Sequence, residues 1–115
     1  MAETTYEWTN RYGKTYVVRL ARAKYQSNDT LAVCMENLAD DGDYWEPYAT
    51  ATVNIVPESD MFVGTTKAFV DVNNLGDGIV SWLEENGIAR LSGEMAESGY
   101  CVYPAMEFLP SAIGD

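Results

Sequence analysis

Residues 47–56 read PYATATVNIV and form the clearest strand pattern in the chain. Polar and apolar side chains alternate with a period of two, which places them on opposite faces of an extended chain. One face carries Tyr48, Thr50, Thr52 and Asn54, and the other carries Ala49, Ala51, Val53 and Ile55. β-Branched residues favour a pleated strand, and a proline is tolerated at the first strand position. The pattern predicts a strand from Pro47 to Val56.

Similar alternation recurs on both sides of this strand. The turn at residues 11–14 contains Gly13, which can adopt the positive φ of a tight hairpin. The predicted strands are Tyr6–Asn10, Thr15–Ala23, Thr30–Leu38, Lys67–Val72 and Tyr100–Tyr103, with Ala105–Leu109 continuing after a bend at Pro104. Short strands joined by hairpins indicate an antiparallel sheet.

The period changes once, over residues 78–86. Apolar residues there follow helical spacing, Asp77 is a candidate N-cap, and Gly87 is a typical C-terminal stop. We therefore expect one short helix, Gly78–Asn86. The predicted fold class is α+β: an antiparallel sheet of five or six strands with this helix packed on one face. No linker composition interrupts residues 1–115, so we expect a single globular domain.

The chain is strongly acidic. Its 115 residues carry a net charge of −11, which disfavours direct binding to nucleic acid or to an anionic membrane. Residues 1–24 have a balance of +3 and residues 25–115 a balance of −14. The hairpin Arg11–Lys24 is thus the one segment where contact with nucleic acid is plausible. We expect a polarised molecule, although acidity can also serve solubility alone.

Several classes of function are disfavoured. No apolar run is long enough to span a bilayer, and the first ten residues lack the basic and apolar regions of a secretion signal, so we expect a cytoplasmic protein. The chain has no histidine, which excludes catalytic triads and histidine-ligated zinc. Cys34 and Cys101 are expected to be core thiols.

Acidic residues offer weak candidates for a metal or catalytic site. The run Asp40-Asp41-Gly42-Asp43 with Glu46 has the oxygen ligands that Ca²⁺ and Mg²⁺ prefer, but its spacing differs from an EF-hand. Asp71 with Glu84 or Glu85 could form a carboxylate pair, which arises easily by chance in so acidic a chain. We therefore expect no metal, no cofactor and no catalytic residue.

The same acidic loop is the main candidate for binding a protein. Aromatic residues with a polar group, such as tryptophan and tyrosine, are enriched at protein interfaces, and binding residues concentrate on loops held by a rigid scaffold. The predicted partner-binding residues are Asp40, Asp41, Asp43, Tyr44, Trp45, Glu46 and Tyr48. We expect an exposed hairpin with Trp45 as its anchor; the competing interpretation places Trp45 in the core.

Several blocks of sequence also resemble a known family. They are Tyr16–Leu20, Leu31–Val33, Glu46–Thr50 with Thr52–Asn54, Asp71–Asn74, Glu85–Gly87, and Ser98–Cys101 before Tyr103-Pro104. Over about residues 14–108 the chain resembles a family of small proteins known only as a domain of unknown function and found on conjugative elements and phages of gut bacteria. The resemblance implies an accessory protein of mobile DNA, a group in which inhibitors of host defence nucleases are frequent. It carries over no catalytic or ligand residue.

Three functions follow as hypotheses. The leading one is a non-catalytic inhibitor of a defence nuclease, of the anti-CRISPR or anti-restriction kind, whose acidic surface mimics nucleic acid and blocks a basic groove. The alternative is an accessory or regulatory module that binds another protein of the mobile element. The third is an enzyme with a carboxylate and metal site. Sequence leaves the target and the oligomeric state open.

Overall fold

A computed structural model describes residues 4–113, which form eight strands and two helices. The strands are β1 (Tyr6–Thr9), β2 (Thr15–Lys24), β3 (Leu31–Leu38), β4 (Trp45–Thr50), β5 (Thr52–Val53), β6 (Lys67–Val70), β7 (Ala89–Ser98) and β8 (Cys101–Phe108). The helices are α1 (Val72–Leu75) and α2 (Gly78–Glu85), with 3₁₀ turns at Glu58–Phe62 and Pro110–Ala112. The fold is therefore α+β, as the sequence predicts.

The strands form two antiparallel sheets of four, so the expectation of one five- or six-stranded sheet is wrong. Sheet A has the order β1-β2-β3-β4 and sheet B the order β5-β6-β8-β7. The predicted strand 47–56 divides at Ala51, whose N–H donates to the Val33 carbonyl at 2.8 Å. The carbonyl of Ala51 accepts from the N–H of Asp71 at 2.9 Å. One residue thus bonds to both sheets, and the chain passes there from sheet A to sheet B.

A large core lies between the elements of both sheets. On β2, Val18 and Leu20 are buried while the preceding Val17, on the opposite face of the strand, is exposed, as the alternation of a half-buried strand requires. The core cluster joins sheet A residues Trp8, Val33 and Met35 to sheet B residues Val70, Met106 and Phe108, and also contains Ile79 and Leu83 of α2. A second, smaller cluster, which includes Phe62, Phe69 and Tyr103, covers the opposite face of sheet B.

Helix α2 matches the predicted helix 78–86 to within one residue. Asp77 occupies the N-cap position, but its side chain makes no capping hydrogen bond. Ile79 and Leu83 are fully buried, and Gly87 has the positive φ, 68°, of a helix stop. Trp82 remains partly exposed and reaches across to β1. The helix therefore closes one side of the core and borders the first strand.

The turn between β2 and β3, at one end of sheet A, forms hydrogen bonds with the segment that follows β4. The Tyr25 and Thr52 hydroxyls lie 2.9 Å apart. Asn28 Nδ2 donates to Asn54 Oδ1 at 2.9 Å and to Asp60 Oδ1 at 2.8 Å. Burial raises the pKa of the Tyr25 hydroxyl above its usual value. These bonds hold the two sheets together at the end opposite the acidic loop.

Candidate protein-binding site

The acidic loop spans residues 39–44, between β3 and β4, and is closed by its own hydrogen bonds. The Ala39 N–H donates to the Tyr44 carbonyl at 2.9 Å, and the Gly42 N–H donates to the Ala39 carbonyl at 2.8 Å. The Asp43 N–H donates to Asp41 Oδ1 at 3.0 Å, which is a typical turn bond of aspartate. Asp40, Asp41 and Asp43 are all exposed. Two paired strands therefore present these three carboxylates on a folded turn.

No ion pair among residues 4–113 includes the carboxylates of this region. Between described residues, ion pairs join Arg19 to Glu36, Lys67 to Glu94 and Arg90 to Glu107. None of these pairs includes Asp40, Asp41, Asp43 or the exposed Glu46. An uncompensated group of four carboxylates attracts a cationic surface over a distance of about 10 Å at moderate salt.

Trp45 begins β4 and lies on the outer face of sheet A. Its ring centroid is 4.5 Å from the Arg19 guanidinium carbon, and Arg19 Nε lies 2.8 Å from Glu36 Oε1. The indole is partly buried and is not among the residues packed into either core cluster described above. Arg19 therefore supports one side of the ring through a cation–π contact, which fixes Trp45 beside the acidic loop.

Tyr48 is placed differently from the other predicted binding residues. A bulge between Met35 and Glu36 shifts the β3–β4 register, and the Tyr48 ring packs 4.8 Å from the Tyr16 ring. The Tyr48 hydroxyl accepts a hydrogen bond from Trp8 Nε1 at 3.1 Å. Tyr48 thus borders the main core. The other six predicted residues lie in the acidic loop or at the first two positions of β4, and Tyr44 is 56% exposed.

The basic hairpin is a neighbour of the acidic loop. Val18 of β2 pairs with Asn37 of β3, so residues 10–14 and residues 39–44 project from the same end of sheet A. In the hairpin, Arg11 Nη2 donates to the Asn73 carbonyl at 2.8 Å, and Lys14 Nζ lies 4.9 Å from the Tyr16 ring centroid. This end of the molecule therefore has mixed charge rather than one sign. Glu3, counted with the basic segment in the sequence, lies outside the described residues.

The competing candidates occupy structural positions. The buried carboxylate of Asp71 caps α1, accepting from the Asn74 N–H at 3.1 Å and from Asn74 Nδ2 at 2.8 Å. Glu84 and Glu85 are exposed on α2. Cys34 and Cys101 are free and half-buried. Residues 4–113 contain no group of three or more acidic or cysteine side chains arranged to hold a metal ion.

Two parts of this surface were missed in the sequence. Arg19 and Glu36 support Trp45, and only the strand register reveals that they share its face. Trp82 of α2 packs partly against the main core and also lines a cleft beside β1, which helical spacing alone does not reveal.

No helix within the described residues is long and apolar enough to cross a membrane.

Comparison with known proteins identifies a family. A family model described as a domain of unknown function, DUF4313, matches residues 19–113. No curated protein and no solved structure matches the chain significantly. The match begins within β2 and covers the rest of sheet A, the acidic loop and all of sheet B. The chain therefore belongs to the DUF4313 family.

Proposed function

We propose that this chain is a non-catalytic, acidic inhibitor of a host defence nuclease, of the anti-CRISPR or anti-restriction kind. It acts in the cytoplasm and uses the loop around residues 40–46 to occupy a basic groove that otherwise holds nucleic acid. The observation that carries the proposal is the group of four exposed carboxylates that form no ion pair with any residue of 4–113 and lie beside a fixed Trp45.

The electrostatic part of the proposal concerns the rate of association. Nucleases of the Cas9 type hold their heteroduplex in a positively charged channel. A protein that presents several negative charges to such a channel is steered toward it, and the steering weakens as salt rises. The four carboxylates supply that charge at one end of sheet A.

The aromatic part concerns the lifetime of the complex. Tryptophan is enriched among residues whose truncation costs an interface about 2 kcal/mol or more. Trp45 is held by Arg19, so little side-chain freedom remains to be lost on binding. The sequence resemblance to small proteins of conjugative elements and phages supports a role against host defence, because inhibitors of host nucleases are frequent among such proteins.

A binding assay with charge variants tests this proposal. Asp41→Lys is expected to slow association with a Cas9-type or restriction nuclease, whereas Glu97→Lys makes the same charge change on β7, away from the loop. Binding is measured with nuclease loaded and unloaded with nucleic acid, between about 50 and 200 mM salt. Competition with the nucleic acid and weakening by salt support the proposal. Absence of binding to any of these nucleases overturns it.

The mixed charge of this end favours one alternative. Arg11 and Lys14 lie beside the acidic loop, and a protein partner with both signs of charge complements that pattern better than a uniformly basic groove does. The chain is then an accessory module that binds another protein of the mobile element. A pull-down from a donor cell distinguishes the two: recovery of conjugation proteins without a nuclease supports the accessory module.

A further inference from the structure

A cleft of about 370 Å³ lies between β1 and the α1–α2 turn. Its lining includes the indoles of Trp8 and Trp82, together with Leu75. It is at the lower end of the size range of small-ligand sites, about 300–1,000 Å³. The floor is therefore aromatic and apolar, and the space suits one long side chain.

The aromatic wall is fixed before any ligand arrives. Trp82 Nε1 donates to the Glu7 carbonyl at 2.7 Å. The Trp82 ring makes edge-to-face contacts with Trp8, at 5.2 Å between centroids, and with Tyr6, at 5.9 Å. Each contact restrains the indole, so the cleft needs little rearrangement to bind.

The rim of the cleft is predominantly acidic. Glu7, Asp77 and Glu85 line it and have no ion-pair partner among residues 4–113. Arg11 is the cation of the rim, and its guanidinium is already bonded to the Asn73 carbonyl. It also lies close above Gly76, 3.6 Å from where a Cβ atom would stand. The net charge left to a ligand is therefore negative.

We propose that this cleft binds an arginine side chain of a protein partner. A guanidinium stacks on an indole face and pairs with carboxylates at the same time, and its aliphatic stem suits the apolar floor. The occupant is chosen on charge complementarity: three carboxylates surround an aromatic floor in an acidic protein.

The cleft extends the proposed interface to the other edge of sheet A. Thr9 and Asn10 line it, so it opens at the end of the sheet that carries the acidic loop. β1 and β4 are the two edges of sheet A, separated by three strand spacings, or about 14 Å. One partner surface can therefore contact both. The inference rests on the proposed function only in expecting a protein with a basic surface.

The test uses the whole chain and a defined probe. Acetyl-Gly-Arg-Gly-amide is titrated to about 10 mM, an excess over the dissociation constant of about 1 mM expected for so small a contact, while NMR follows the Trp82 indole N–H and the Gly76 and Gly78 amides. The same peptide with citrulline in place of arginine keeps the shape without the charge. We expect shifts with arginine and almost none with citrulline. Glu85→Gln should weaken binding about threefold, and Glu97→Gln, a matched loss of charge on β7, should leave it unchanged.

Other outcomes overturn the inference. Equal shifts with citrulline show a contact without charge recognition, and shifts caused by inorganic phosphate instead assign the cleft to anions through Arg11. Equal weakening by Glu85→Gln and Glu97→Gln shows a general charge effect. The peptide titration contains no nuclease. If the protein fails to bind the peptide but still binds a nuclease, only the arginine site in the cleft is overturned. If the protein binds the arginine peptide but binds no nuclease, only the proposed function is overturned.

Discussion

Replacing Trp45 with alanine separates a binding residue from a core residue. The substitution removes the cation–π contact with Arg19, worth about 0.5–1 kcal/mol at an exposed site. It also removes the cross-strand contact with Leu38, its pairing partner on β3, worth about 0.2–1 kcal/mol. Arg19 keeps its ion pair with Glu36. The expected loss in the free energy of unfolding is therefore about 1–2 kcal/mol.

Trp8→Ala is the matched comparison. Trp8 is 4% exposed in the main core, and truncating a buried aromatic ring costs about 3–5 kcal/mol. For a domain of this size, 1 kcal/mol lowers the melting temperature by about 4 °C. Trp45→Ala should thus melt about 4–8 °C below the parent protein, and Trp8→Ala more than about 12 °C below it.

Both variants are measured by thermal unfolding and by partner affinity on the same samples. We expect Trp45→Ala to stay folded at 25 °C and to bind at least about 30-fold more weakly, the equivalent of 2 kcal/mol. If Trp45→Ala is destabilised as strongly as Trp8→Ala, Trp45 belongs to the core. If its affinity is unchanged, Trp45 is not the anchor. Either result contradicts the assigned role.

Three further predictions concern stability. The raised pKa of Tyr25 keeps its hydroxyl protonated to a higher pH in the folded protein than in the unfolded chain. The free energy of unfolding should therefore fall as the pH rises above 10.0, the ordinary pKa of tyrosine. Urea unfolding from pH 8 to 11 should show a smaller fall for Tyr25→Phe than for the parent protein. Gly76 has φ +87° and ψ 164°, a backbone conformation almost confined to glycine, and Gly76→Ala should cost about 1–3 kcal/mol. Gly78→Ala, in the first turn of α2, should instead stabilise the protein by about 0.4–1 kcal/mol, and equal urea midpoints for the two variants would contradict this. Asp71→Ala removes the cap of α1 and should cost about 0.5–2 kcal/mol, measured by the same unfolding, and an unchanged midpoint would show that the cap is dispensable.

Local sequence patterns were sufficient to predict most of the individual strands and the longer helix. The alternation along β2 and β3, and the helical spacing of α2, arise from half-buried segments whose period survives in the sequence. β7 was missed because its ten residues contain Gly93 and an irregular pairing between Leu91 and Met95. Helix α1 has four residues, too few for a period to show.

The division into two sheets was not visible for a different reason. Residues 47–56 alternate without interruption, but the partner of each residue is set by distant segments. Ala51 bonds to Val33 on one side and to Asp71 on the other, and no local signal marks that change of partner.

The candidate site divides in the same way. Exposure of the acidic loop follows from its turn residues, which sequence can identify. Strand alternation already places Trp45 and Tyr48 on opposite faces of β4, because they are three residues apart. The packing of Tyr48 against Tyr16 and its hydrogen bond with Trp8 join segments distant in the chain, and no local pattern predicts them.

The strand orders also imply a sequence of events during synthesis. Every pair in sheet A joins strands that are consecutive in the chain, so the loop at residues 39–44 can be framed as soon as β4 has emerged. In sheet B, β8 lies between β6 and β7, so until β8 is made β6 is paired only with β5 and β7 has no paired strand. A nascent chain that ends before Cys101 therefore exposes the edges of β6 and β7 that β8 later covers, and these edges can pair with other chains. Sheet A can therefore form first. Synthesis of β8 then covers the exposed edges of sheet B, through which the nascent chain could aggregate.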